Sequence, residues 1–131
     1  MSTEKLAKFV VETSYESLPA EAIRSAKQAI VDCLGCALAG SADEGSKILA
    51  KYVKEMGGKP EAGVLAAGFK VPAPDAAWVN GTLAHALDYD DVAMVTGGHP
   101  SVALLPAALA LGEKLHLSGK DVLLAYIIGF E

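Results

Sequence analysis

Residues 22–40, AIRSAKQAIVDCLGCALAG, decide the fold class because their apolar side chains recur at helical spacing. The helix is predicted to stop at Gly40, since glycine commonly ends a helix. Gly35 is predicted to let a neighbouring helix approach closely, because it has no side chain. A helix with this pattern turns five side chains towards the core: Ile23, Ala26, Ile30, Leu34 and Leu38.

The remaining chain repeats the helical pattern with one interruption. Val64 and Leu65, bounded by glycines and prolines, suit one short extended segment. The spacing therefore predicts an all-α helical bundle of about six helices with at most that one extended segment. The further helices are expected from Ser2 or Thr3, from Asp43 to about Met56, from Asp75 through Leu87 to the TGG at 96–98, from Ser101 to about Leu115, and from Ser118 onward.

The composition excludes several classes of protein. A net charge of -5 and a pI near 5.1 argue against nucleic-acid binding, which needs a basic surface. No apolar run reaches the roughly 20 residues that cross a bilayer, and the N-terminus lacks the apolar core of a secretory signal. We therefore expect a cytoplasmic protein with neither a membrane nor a nucleic acid among its partners.

Two local patterns bear on the state of the chain. Cys33 and Cys36 lie within helical spacing rather than at a strand-to-helix turn, so we interpret them as reduced, buried side chains. The final KDVLLAYIIGFE stops in helical register without a C-cap. We therefore expect a chain cut within a helix, whose bulky faces are covered in a homo-oligomer such as a dimer, or by a complementary chain. These faces carry Leu123, Tyr126, Ile127 and Phe130.

The titratable groups gather in residues 80–101, NGTLAHALDYDDVAMVTGGHPS, which contain two of the three histidines. On a continuous helix His85 and Asp88 share a face, Asp91 lies partly round from it, and Asp90 points elsewhere. A carboxylate beside an imidazole orients the ring and favours its protonated form, as general acid-base catalysis requires. The alternative is that Asp88 and Asp91 cap loop amides while His85 fills the core.

The second half of this stretch places His99 beside the start of a helix. Gly97 and Gly98 precede it, and the unpaired N–H groups around Ser101 suit a carboxylate. A histidine there is able to exchange a proton with the carbon next to a bound carboxylate. The alternative is a turn residue that caps the helix. Substrate-binding roles are accordingly predicted for Ser101, His85 and Asp91.

The segments VNGTLAHALDYDDV and GHPSVALLPAALAL resemble the MmgE/PrpD family, and AIVDCLGCALAG and AYIIGFE are similar to its flanking helices. The resemblance covers the whole chain. It implies that residues 1–131 are the N-terminal part of an all-helical domain whose lid domain and C-terminal helical segment are absent. It also implies that Asp88 and His99 are catalytic and that no cofactor and no metal are used. Two aspartates and two histidines could bind a metal ion, but the resemblance does not call for it.

The family's members dehydrate, decarboxylate or epimerise small di- and tricarboxylates such as 2-methylcitrate. Where decarboxylase-like members have a threonine after the paired acids, this chain has Val92, which argues against decarboxylation of cis-aconitate. The resemblance implies a cofactor-free lyase or isomerase, inactive as this chain alone because substrate carboxylates need cations from elsewhere. The alternatives are a non-catalytic helical fragment, a subunit of a split protein, or a plain helical dimerisation domain.

Overall fold

The computed structural model describes residues 2–95 and 97–131, and it is all-α with one very small sheet. The predicted fold class is confirmed. A single 3-10 turn, Tyr15–Ser17, separates the first two helices. The elements are α1 (Thr3–Glu12), α2 (Ala20–Gly40), α3 (Glu44–Met56), β1 (Ala62–Gly63), β2 (Lys70–Val71), α4 (Ala73–His85), α5 (Pro100–Leu115) and α6 (Gly119–Phe130).

Helix α4 forms the centre of the bundle and packs against both α2 and α5, while α6 covers α5 and α2. Small side chains line these contacts, so the helices approach closely and few large rings are needed. The first, middle and last turns of α4 each contribute buried side chains. The buried alanines are Ala26, Ala37, Ala62, Ala73, Ala76, Ala84 and Ala110.

The closest approach between α2 and α4 occurs at Gly40, not at Gly35. A Cβ atom added at Gly40 would overlap the carbonyl oxygen of Leu83 and lie 3.2 Å from Cβ of Ala86. A Cβ atom at Gly35 would meet nothing within 4 Å. The predicted role of Gly35 is therefore wrong. Gly40 both ends α2 and gives α4 the room to pack.

Replacing these two glycines by alanine is expected to change the stability of the fold in opposite directions. Gly40→Ala should destabilise the fold by about 1–3 kcal/mol, because the Leu83 carbonyl is backbone and cannot rotate away. Gly35→Ala should stabilise it by about 0.5–1 kcal/mol through helix propensity. Urea unfolding followed by circular dichroism measures both variants. Equal stability of the two would contradict the packing described here.

The extended segment is a two-stranded antiparallel hairpin, in which Ala62 pairs with Val71 and Gly63 with Lys70. The strands thus flank Val64 and Leu65, where one segment was predicted. The buried Asn80 of α4 fixes the hairpin: its Oδ1 accepts from the Leu65 N–H at 2.9 Å and its Nδ2 donates to the Gly63 carbonyl at 2.9 Å. A short sheet with little core of its own is therefore held by hydrogen bonds to α4.

Two acids tie the same hairpin to its neighbours. Glu113 of α5 accepts from the Gly63 N–H at 3.1 Å and pairs with Lys70 at 3.0 Å. Glu61 accepts from the Ala73 N–H, the start of α4, and pairs with Lys114 at 3.1 Å. The Ala73 hydrogen bond and then Lys114 lower the pKa of the Glu61 carboxyl. Both contacts hold the hairpin against α4 and α5.

Helix α4 ends at His85, eleven residues before Thr96, where the predicted break begins and which lies outside the described residues. The Asp88 N–H donates to the His85 carbonyl at 3.1 Å, closing a tight turn, and Asp88 then adopts φ 54°. A right-handed helix cannot continue through that conformation, and aspartate is one of the few residues that tolerates it. The prediction of one helix from Asp75 past Leu87 is therefore wrong in its second half.

The bulky faces of α6 are mostly covered within the chain. Leu123, Tyr126 and Ile127 are buried against α2 and α5, and only Phe130 is largely exposed. The exposed patch predicted on this helix is therefore wrong. Large apolar side chains are exposed instead on other helices, among them Val31, Leu38, Ile48, Tyr52, Met56 and Trp78. In the described parts of the chain, no helix is both long and apolar enough to cross a bilayer.

Both cysteines are free thiols, but they lie at different depths. Cys33 is buried, as predicted, whereas Cys36 is only partly buried. Burial, followed by the nearby Asp91, raises the pKa of the Cys33 thiol to about 12. Burial also raises the pKa of Cys36. Because the thiolate is the reactive form, neither position has the character of a redox site.

We expect Cys36 to be alkylated well before Cys33 in the folded protein. Raising the pH from 7 to 9 should speed labelling at Cys36 more, because with a pKa of about 12 Cys33 stays almost entirely thiol across that range. Single-cysteine variants, Cys33→Ala and Cys36→Ala, separate the two rates by mass spectrometry. Rapid labelling of Cys33 at neutral pH would contradict its burial, and the unfolded chain provides the reference rate.

Candidate active site

The loop between α4 and α5 positions the candidate site. After the left-handed turn at Asp88, the chain runs irregularly to Ala93, which pairs with Gly98 in an isolated antiparallel bridge. The Ala93 N–H donates to the Gly98 carbonyl at 2.9 Å. This bridge brings His99 back beside the last turn of α4, so the titratable groups of residues 80–101 converge.

Asp90 lies at the centre of this cluster, and its side chain has 0% exposure. Nδ1 of His85 lies 3.0 Å from its Oδ1 and 3.1 Å from its Oδ2. His85 is the last residue of α4, and its ring is about half exposed. The prediction that Asp90 points away from the site is wrong, because the helix that would have directed it outwards has already ended.

His99 lies between two carboxylates. Its Nδ1 is 3.1 Å from Oδ2 of Asp90, and its Nε2 is 3.4 Å from Oδ1 of Asp88. The rings of His85 and His99 meet edge to face with centroids 4.7 Å apart. Asp88 is 78% exposed, so one carboxylate of the pair faces solvent and the other is buried. The side chain of His99 makes no cap at the start of α5.

Asp91 and Ser101 make a separate, internal contact. Oδ1 of Asp91 accepts from the Ser101 N–H at 3.1 Å, and its Oδ2 accepts from the Ser101 hydroxyl at 2.6 Å. The hydroxyl also lies 2.6 Å from that of Tyr126, whose pKa is raised chiefly by burial. Ser101 is completely buried. The helix end that was predicted to bind a substrate carboxylate thus binds the chain's own carboxylate, and the substrate-binding roles of Ser101 and Asp91 stay predictions.

The predicted site residues therefore divide into two groups. His85, Asp88 and His99 come together, and their catalytic or binding roles remain predictions. Ser101 and Asp91 belong to the packing of α5 and α6. Asp90 was missed because the left-handed conformation of Asp88, which the spacing does not reveal, ends the helical register before it.

The same four residues form a possible metal-ligand set. His85, Asp88, Asp90 and His99 each offer one ligand atom, and those atoms lie within 4.8 Å of one another. Two imidazoles and two carboxylates suit Zn²⁺ or Mn²⁺. The expectation that no metal is used stays a prediction.

An open cavity of about 500 Å³ lies beside His85, lined also by Trp78, Thr82 and Val102. The described residues of its lining include no lysine or arginine, and the sequence has none between Val71 and Glu113. A larger cavity of about 720 Å³ lies between α2, α5 and α6, away from the histidine pair. Among the described residues, the cavity beside His85 is therefore lined by no permanent cation.

The profile of the MmgE/PrpD N-terminal domain matches residues 4–131, so the chain belongs to the MmgE/PrpD family. Curated relatives include the cis-aconitate decarboxylase of Mus musculus, 34% identical over 98% of this chain and 27% of the mouse protein. The Homo sapiens protein of the same name is 33% identical over 98% of this chain and 28% of its own length. The Aspergillus terreus cis-aconitate decarboxylase is 30% identical, with 98% and 27% covered. The chain thus spans little more than a quarter of these relatives.

Proposed function

We propose that this chain contributes the acid-base part of the active site of a cofactor-free lyase or isomerase acting on small di- or tricarboxylates. The observation that carries the proposal is His99, whose two ring nitrogens each lie within 3.4 Å of a carboxylate. A neutral imidazole has one N–H, whereas an imidazolium has two and satisfies both acceptors. The arrangement is suited to a ring that alternates between the two forms.

In such a reaction Nε2 of His99 takes a proton from the carbon next to a substrate carboxylate. In a dehydration the electron pair of the C–H bond forms a double bond to the neighbouring carbon, whose C–O bond breaks so that hydroxide leaves. In an epimerisation that electron pair instead accepts a proton on the opposite face. A decarboxylation runs differently: the C–C bond to the carboxylate breaks, carbon dioxide leaves, and the imidazolium protonates the carbon. In each case His99 holds or returns one proton.

The choice among these reactions rests on groups near the acids. Three similar proteins are named cis-aconitate decarboxylases, which makes cis-aconitate one substrate to test. Val92, exposed and next to Asp91, brings no hydroxyl to the site, and this argues against that reaction. 2-Methylcitrate and iminodisuccinate represent dehydration and epimerisation. We propose the polycarboxylate class as the substrate and leave all three reactions as arms of the assay.

We expect the 131-residue chain alone to turn over none of these substrates, because it has no cation beside the cluster to stabilise the developing negative charge. In a full-length family member with the same GHPS segment, asparagine at the position of His99 should lower kcat/KM by about 10²–10⁴-fold. Asparagine at the position of the exposed His116 is the matched control. Turnover by the bare chain, or an unimpaired His99 variant that folds correctly, would refute the proposal.

A second candidate is a non-catalytic helical subunit. It is favoured by the apolar side chains exposed on α2 and α3, namely Val31, Leu38, Ile48, Tyr52 and Met56. Contiguous exposed apolar surface commonly marks an interface between proteins. This surface is compatible with a homodimer or with a complementary chain of the same enzyme. A subunit interface here is therefore consistent with the catalytic proposal as well as with a non-catalytic subunit.

We expect the isolated chain to self-associate through α2 and α3. Val31→Lys together with Ile48→Lys should shift it towards monomer, because burying a lysine without a partner is costly. Leu111→Lys, exposed on α5, is the control and should leave association unchanged. Sedimentation velocity at micromolar concentration measures all three. A monodisperse monomer of the unmodified chain would contradict the expectation.

A further inference from the structure

We propose that Asp90 is a positioning residue that orients both histidines and holds His99 ready to carry a transferred proton. The proposal rests on the proposed function, in which His99 is the acid-base group. Asp90 was assigned no role by the sequence pattern. In the fold its carboxylate is the shared contact of His85 and His99, at 3.0 Å and 3.1 Å.

The burial of Asp90 makes this arrangement necessary. A carboxylate with no exposed surface must find donors inside the protein, and removing one from such a group leaves a costly unpaired charge. His85 meets both oxygens through Nδ1. Because a carboxylate only accepts, Nδ1 of His85 must carry the hydrogen. The neutral ring then keeps its lone pair on Nε2.

His99 has a different relation to the same carboxylate. Its Nδ1 is buried and lies 3.1 Å from Oδ2, yet the contact is outside hydrogen-bond alignment, and this nitrogen has no hydrogen-bond partner among the described residues. The buried Nδ1 cannot meet a substrate, so proton transfer must occur at Nε2. When Nε2 takes a proton, the ring becomes a cation beside a carboxylate that His85 already orients. A small rotation of the ring then makes the Nδ1 contact a charge-assisted hydrogen bond.

The first test uses the ring nitrogens of the chain itself. Long-range ¹H–¹⁵N spectra of the histidine-labelled protein distinguish Nδ1–H from Nε2–H, with the exposed His116 as an internal reference. His85 should be the Nδ1–H form in the unmodified chain. Asp90→Asn should shift it towards the Nε2–H form, and Asp88→Asn should not. The Nε2–H form of His85 in the unmodified protein would overturn the proposal without any variant having to fold.

The second test separates positioning from mere stability. In a full-length family member, asparagine at the position of Asp90 should lower kcat at least about tenfold with KM nearly unchanged, and glutamate should restore part of the loss. An Asp90 variant with altered His85 tautomer but unchanged kcat would overturn the positioning role. The proposed function would still stand in that case, since it fails only if the His99 variant is unimpaired.

Discussion

The buried carboxylate of Asp90 imposes the constraint on which the candidate site depends. A carboxylate shielded from solvent needs a donor inside the protein, and here Nδ1 of His85 lies 3.0 Å from it. The ring of His99, fourteen positions later in the sequence, contacts the same carboxylate at 3.1 Å. Meeting that requirement forces α4 to stop at His85 and forces the loop to return His99 to the same place. The bridge between Ala93 and Gly98 completes the return. The conformation of the loop and the contacts of Asp90 therefore depend on each other.

The three acids of DYDD illustrate how environment assigns roles to identical side chains. Asp88 is exposed and contacts His99 at the surface, whereas Asp90 is buried beside the two imidazole rings. Asp91 accepts a hydrogen bond from the Ser101 N–H in the first turn of α5. The Asp91 contact satisfies a helix N–H that would otherwise lack a partner, and it fixes α5 relative to the loop. The Ser101 hydroxyl also lies 2.6 Å from the hydroxyl of Tyr126, so the same contact links α6 to this loop.

The sequence was sufficient for the helices because their apolar periodicity is long and their caps are local. It failed where the deciding contact is tertiary. Gly35 and Gly40 are indistinguishable by spacing, and only the path of α4 shows which one it crosses. The faces of α6 look uncovered until α2 and α5 are placed around them. In the site, ALDYDD has helical spacing of apolar residues, yet the left-handed conformation of Asp88 breaks it and turns Asp90 inwards. Local propensity gave no warning of that reversal.

The identity of the groups that surround Asp90 matters for the orientation of the two histidines. A lysine or arginine near Asp90 would outcompete an imidazole for the carboxylate, because a permanent cation makes the stronger contact at low dielectric. His85 and His99 would then lose the partner that orients them. The absence of basic residues between Val71 and Glu113 keeps the histidines as the carboxylate's partners.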